Sequence, residues 1–276
     1  MSLIIGIDIG GSTTKIVGLR DGKIISPLSV KASDPLTSAY GAFGKFLSEN
    51  SLSLSAVSSI ICTGVGAARV KEPIYGIKTL MADEFMAIGL GGKFISGCDN
   101  AVVVSMGTGT AFVSVKGDKI SHIGGSGIGG GTIVGLCEKL FGVRDFSVLE
   151  SLANKGDISN IDLTIGDITH ARLSNMNDEI TASNFGKVSD MATPEDLAAG
   201  VFNMVIQSAG VLACFACKMQ DTKSIILTGQ VSVLNFPTTS YKKLEELYGC
   251  TFMIPEYSDF ATAIGAAIYG EQYGEK

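Results

Sequence analysis

The sequence predicts an α/β chain made of two related halves that share a cleft, and three observations carry that expectation. Residues 3–7 and 16–19 are apolar runs separated by Asp8-Ile9-Gly10-Gly11-Ser12-Thr13-Thr14-Lys15, which reads as a β-hairpin with a polar tip. About a hundred residues later the order repeats: residues 101–106 and 111–115 are strands flanking Gly107-Thr108-Gly109-Thr110. Between and after these hairpins, helical-period segments alternate with β-branched strands that end in glycine turns. A cleft between two such halves can hold a triphosphate from both sides.

The first tip has the chemistry of a phosphate site. Gly10 and Gly11 let backbone N–H groups approach an anion, Ser12, Thr13 and Thr14 add hydroxyl donors, Lys15 adds charge, and Asp8 can hold a hydrated divalent cation. It is neither a Walker A loop nor a dinucleotide fingerprint, because both need a helix after the turn and here a strand follows.

Taken in order, Asp21-Gly22 turns the chain into a third strand over residues 23–30. Ser33-Asp34-Pro35 is a helix start, and apolar residues at Leu36, Ala39, Tyr40, Phe43, Phe46 and Leu47 place a helix over 36–50. Residues 57–62 form a buried strand ending in Thr63-Gly64-Val65-Gly66, the kind of carboxyl end where ligands collect in open α/β sheets. A short strand is expected at 74–79, and a helix from residue 81 with Asp83 and Glu84 in its first turn. After the second hairpin, 119–123 is a strand. The run 124–132 holds six glycines in nine residues and feeds a helix over 133–141, a ready anion site. Residues 146–190 read as an inserted set of surface helices and loops. Thr193-Pro194-Glu195 then opens a long helix to about residue 219. Residues 224–230 are a strand ending at Gly229, a turn able to lie flat against an adenine ring. A helix to 247, a strand at 250–254 and a helix over 259–269 complete the order.

The 276 residues are enough for two cores, and 46% hydrophobic with 17% charged residues describes an ordinary globular protein. A net charge of −6 argues against nucleic acid or an anionic membrane as partner. Many of the 35 glycines cluster at 10–11, 89–92, 107–109 and 124–131. Cys214 and Cys217 form a C-x-x-C inside an apolar run, where helical core packing is expected rather than zinc or redox chemistry. No run of about 18 uninterrupted apolar residues suggests a membrane span. Reduced thiols and the absence of a signal peptide point to the cytoplasm.

The motif Asp-x-Gly-Gly-x-x-x-Lys between two strands resembles the first phosphate motif of the acetate and sugar kinase, Hsp70 and actin superfamily. Residues 124–136, Gly-Gly-Ser-Gly-Ile-Gly-Gly-Gly-Thr-Ile-Val-Gly-Leu, resemble the glycine signature of type II pantothenate kinases. The similarity runs from residue 1 to the segment Ile264-Gly265-Ala266-Ala267. It implies a duplicated actin-like (ribonuclease H-like) two-domain ATPase fold, α/β in class, with an interdomain nucleotide cleft. The expected domains are residues 1–98 and 99–276, the second building most of a homodimer.

That resemblance implies ATP-dependent phosphorylation of pantothenate to 4′-phosphopantothenate, the first step of coenzyme A biosynthesis. Glu84 matches the catalytic glutamate and Asp8 the magnesium-associated aspartate. ATP would be held by Gly10, Gly11, Ser12, Thr13, Lys15, Gly107, Thr108, Gly127, Gly129, Gly130, Gly131 and Gly229, and pantothenate by Glu84, Thr108, Ala111 and His122. Two positions depart from the family. His122 stands where an arginine binds the pantothenate carboxylate, and Ala111 where a serine contacts pantothenate; an imidazole is not equivalent to a bidentate guanidinium. The alternatives are a kinase of another small alcohol or sugar, a regulatory nucleotide-binding module, and an activator ATPase of a 2-hydroxyacyl-CoA dehydratase. The last would need cluster-ligating thiolates beside the nucleotide loop, where Ser126 and glycines stand.

Overall fold

A computed structural model describes residues 3–31, 34–169, 178–236 and 239–274. Two five-stranded sheets carry the same topology. In the first, β1 (Leu3–Ile9), β2 (Thr13–Arg20) and β3 (Lys23–Lys31) form an antiparallel meander. Helix α1 (Pro35–Glu49) crosses over to β4 (Val57–Thr63) and β5 (Thr79–Met81), both parallel to β1, giving the order β3-β2-β1-β4-β5. Asp34 caps α1 by accepting from Thr37 N at 2.8 Å, with Pro35 in the first turn, as the helix start predicts. Helix α2 (Glu84–Ser96) follows.

The second sheet repeats this. Strands β6 (Asn100–Met106), β7 (Thr110–Lys116) and β8 (Lys119–Ser126) are the meander. Helices α3 (Gly130–Phe141) and α4 (Phe146–Ala153) come next, then an insertion holding β9 (Leu163–Thr164), α5 (Ile165–Ile168) and β10 (Thr181–Ser183). Helix α6 (Pro194–Gln220), β11 (Ser224–Thr228), α7 (Thr239–Tyr248), β12 (Thr251–Met253) and α8 (Ala261–Tyr273) complete the chain. The sheet order β12-β11-β6-β7-β8 mirrors the first, so the duplication read from the two hairpins is real.

Alternation along the strands sorts the side chains into layers. Ile5, Ile7, Ile9, Ile60 and Cys62 face α1, with Phe43 and Phe46 fully buried between. Val102, Val104, Met106, Ile225 and Leu227 face α3, α4 and α6. The two inner faces exchange helices. Helix α2, which follows the first sheet, packs through Ile88 on Val103, Val113 and Val115 of the second. Helix α8, which follows the second, packs on Val17 and Leu19 of the first. The helices meet closely, for a Cβ on Gly91 would stand 1.8 Å from the Ala261 carbonyl oxygen.

Helix α6 is, at 27 residues, long and apolar enough by composition to cross a membrane, but 67% of its apolar window is buried in the core of the second half. Cys214 and Cys217 lie on it, buried as expected, and the Cys214 and Cys250 sulfurs are 3.2 Å apart. The insertion is tied to α6 by the buried Asp162 carboxylate, which accepts from Asn203 Nδ2 at 2.7 Å and Phe185 N at 3.0 Å. Residues 170–177 of the insertion lie outside the described residues.

Three local expectations are corrected. Residues 74–79 are not a strand: Ile74–Gly76 is a 3-10 turn with Tyr75 at φ 49°, and the strand begins at Thr79. The run from Gly124 is not one long loop. Gly125 and Ser126 pair with Ala111 and Thr110 as the end of β8, and α3 starts at Gly130 rather than residue 133. Strand pairing takes the first glycines and the helix takes the last, leaving a loop of only 127–129. After Gly229 comes a 3-10 turn, Gln230–Val233, before α7 begins at Thr239.

Candidate active site

The register of the first sheet sets a row of three side chains. Asp8 on β1 stands opposite Lys15 on β2 and Thr63 on β4, so all three share the inner face, where α8 and the start of α2 lie. Lys15 is buried, and its Nζ donates to the Asp259 carbonyl at 2.5 Å while lying 5.7 Å from the Phe260 ring centre. Burial lowers the Lys15 pKa against the opposing charges of Asp259 and Asp8. The ammonium is thus a link between the halves.

Burial pushes the Asp8 carboxyl up to about 7, opposed by Lys15 and reinforced by Glu84. The two carboxylates therefore share one electrostatic neighbourhood. Gly64, at φ +88°, has no Cβ to collide with Asp8; one there would stand 2.5 Å from Oδ1. Asp8 is a desolvated carboxylate short of positive charge, and the buried hydroxyl of Thr63 beside it has no hydrogen-bond partner. A hard divalent cation suits that donor set.

Glu84 is the first residue of α2. Asp83 is the cap rather than a second first-turn acid, accepting from Met86 N at 2.9 Å. Burial, and then the Asp83 charge, raise the Glu84 pKa. The next residue, Phe85, stacks on His122 with ring centres 3.8 Å apart and planes 17° from parallel. Ala111 joins Phe85 and Ile88 in one cluster on the inner face of the second sheet. The structure thus brings Ala111, His122 and the start of α2 to one wall.

The two hairpin tips converge. Gly10 N closes the first tip on Thr13 O at 3.0 Å, and a Cβ on Gly11 would lie 3.8 Å from Thr108 Oγ1 of the second. The 127–131 segment lies directly on that second tip: Gly130 N donates to Gly107 O at 2.8 Å and Gly131 N to Thr108 O at 2.9 Å. A Cβ on Gly129 would stand 2.6 Å from Thr108 O. Two of the N–H groups that the sequence reading assigns to phosphate are therefore taken by the second tip, and these glycines serve close packing of loop on loop. Gly229, at φ +88°, lies flat on the Met106 backbone, with its N–H bonded to Ser258 O at 2.9 Å. It is thereby next to Gly107.

A family model described as Fumble matches residues 100–244, from β6 through most of α7. The chain belongs to the Fumble family. Among curated relatives, a type II pantothenate kinase of Bacillus cereus (strain AH820) is 29% identical over 241 residues, covering 82% of this chain and 80% of that one. One from Bacillus anthracis is also 29% identical, over 240 residues, with the same shares covered. Pantothenate kinase 1 of Oryza sativa subsp. japonica is 34% identical over 137 residues, 46% of this chain and 20% of that one. Among solved structures, the Acidaminococcus fermentans (R)-2-hydroxyglutaryl-CoA dehydratase component A superposes with TM-score 0.72 at 18% identity, covering 100% of both chains. A ROK family glucokinase from Streptomyces griseus, solved with glucose and AMPPNP, gives 0.63 at 15% identity over 98% of this chain and all of that one. These likenesses establish the duplicated actin-like fold.

In this Fumble-family chain the sequence reading missed three contributors. Phe85 looks like any core aromatic until its ring is found on His122. Asp259 acts through its backbone carbonyl, which no side-chain pattern reveals. Thr63 was legible only as part of a glycine turn at a strand end.

Proposed function

We propose that this chain transfers the γ-phosphoryl group of ATP to the primary hydroxyl of pantothenate, giving 4′-phosphopantothenate and ADP, the first step of coenzyme A biosynthesis. The observation that carries the reading is Glu84 at the start of α2, sharing its field with Asp8, whose hairpin tip converges on the second glycine-hydroxyl tip. The relatives named type II pantothenate kinase supply the acceptor.

An alcohol is far too weak an acid to ionise at neutral pH, so a base must take its proton as the new P–O bond forms and the bond to the β-phosphate oxygen breaks. Glu84 has that role, and its pKa, raised by burial and by the Asp83 charge, makes it a stronger base than an exposed glutamate. Asp8 holds Mg²⁺, which when bound neutralises phosphate charge. The tips at Gly10–Thr13 and Gly107–Thr108, with Gly127, hold the phosphates, and Gly229 carries the adenosine. Ala111, His122 and Phe85 form the acceptor wall. The chain works as a cytoplasmic homodimer; Leu212, Phe215 and Met219, exposed along one face of α6, support that reading.

The test is ATP consumption by pure protein with Mg²⁺, with and without pantothenate, beside Glu84→Gln. Pantothenate-dependent turnover that falls by about 10²-fold or more in the variant is expected. Turnover that ignores pantothenate, or survives in Glu84→Gln, overturns the assignment.

A further inference from the structure

Among the described residues, the buried side-chain polar atoms without a hydrogen-bond partner are Thr14 Oγ1, Arg20 Nε and Thr63 Oγ1. An unsatisfied buried hydroxyl is costly, and natural cores rarely keep one without a reason. Thr63 is fully buried, and its place sets it apart. It pairs with Asp8 across the parallel β1–β4 ladder, so its side chain leaves the same face of the sheet on the adjacent strand. Ile61, two residues earlier on that face, packs against Ala87 of α2 and Ala266 of α8. Cys62, on the other face, packs against the α1 side. The chain past Thr63 turns at once through Gly64, whose bare Cα makes room for the Asp8 carboxylate. Beyond β4 comes β5, and Ala82 N, bonded to Cys62 O at 2.9 Å, leads into Asp83 and Glu84. In the order of strands Thr63 thus lies between Asp8 and the chain that leads to Glu84. Lys15 flanks Asp8 on the other side but is turned to the Asp259 carbonyl.

We propose that Thr63 is a positioning residue of the cation site: its hydroxyl holds a water in the hydration shell of the divalent cation carried by Asp8. This rests on the reading that Asp8 carries a cation. Magnesium and manganese keep several waters when bound by one carboxylate and phosphate oxygens, and those waters need fixed partners. A threonine hydroxyl both donates and accepts, so it can take a water in either orientation.

The test uses Mn²⁺ with ADP, followed by electron paramagnetic resonance of the free ion, and thermal unfolding of the ligand-free protein. Thr63→Val keeps the branched shape and removes the hydroxyl; Thr63→Ser keeps the hydroxyl. The expected result is a loss of Mn²⁺ affinity of about 10-fold or more in Thr63→Val, recovered in Thr63→Ser. Ligand-free Thr63→Val should unfold at an unchanged or higher temperature, because an orphaned polar group has been removed. Unchanged Mn²⁺ affinity in Thr63→Val, with wild-type affinity sensitive to Asp8→Asn, overturns the role of Thr63 alone. Wild-type affinity insensitive to Asp8→Asn overturns the cation reading and the inference with it. A lower unfolding temperature for ligand-free Thr63→Val, with affinity intact, assigns the hydroxyl to structure instead.

Discussion

Gly265 of α8 lies so close to Ala87 of α2 that a Cβ there would stand 1.8 Å from the Ala87 carbonyl oxygen. The obstacle is backbone, which has no rotamer with which to yield. Gly265→Ala should therefore push the helices apart and lower stability by about 3 kcal/mol or more, read from urea unfolding. Gly41, an exposed interior residue of α1, has nothing within 4 Å of its missing Cβ. Gly41→Ala should stabilise by about 0.5–1 kcal/mol, since only the unfolded chain loses freedom. If both substitutions give the same sign, the close crossing of α2 and α8 is not what holds the halves together.

The raised pKa of Glu84 predicts a pH profile. The base works ionised, so kcat/KM should fall as pH drops through a value above the ordinary glutamate range of about 4.3. Asp83 contributes to that rise by repulsion. Asp83→Asn keeps a capping side chain on α2 and removes the charge, so the acid limb should move to lower pH with the helix intact. An acid limb that does not move would separate Glu84 from the ionisation that controls the rate.

His122 is held by its stack on Phe85. A guanidinium can stack on the same ring and adds a permanent charge with two parallel donors. His122→Arg should therefore lower KM for pantothenate with little change in kcat. An unaltered KM would mean that this position does not read the carboxylate.

Lys15 has one clear partner across the halves, the Asp259 carbonyl. Lys15→Met keeps most of the buried volume and loses a charged hydrogen bond, at a cost of about 1.5–3 kcal/mol in thermal or urea unfolding. A loss of phosphate affinity with unchanged stability would instead place the ammonium at the nucleotide.

Much of this was legible in the chain. The two hairpins, their glycine-hydroxyl tips and the helix start at Asp34 are local patterns with local causes, and they fold as read, whereas the helix expected from residue 81 begins at Glu84 with Asp83 as its cap. The errors fall where a partner distant in sequence decides the outcome. Gly125 looks like loop until Ala111 is seen to pair with it, and Gly130 N–H looks free until Gly107 O takes it. Lys15 likewise has a partner that nothing near it in sequence announces, a carbonyl 244 residues away. Tyr75 reads as strand from its apolar neighbours, yet its positive φ bends that segment into a turn.

The exchange of α2 and α8 between the sheets also constrains how the chain can fold. Residues 3–81 contain a complete sheet, yet its inner face stays bare until residues 261–273 have been made. During synthesis the first half must wait as an uncovered apolar surface, a state prone to self-association. A fragment ending near residue 98 would carry α2 with its own partner sheet missing. The two halves resemble one another, but each is finished by the other, so severing them should yield two aggregating pieces rather than two domains.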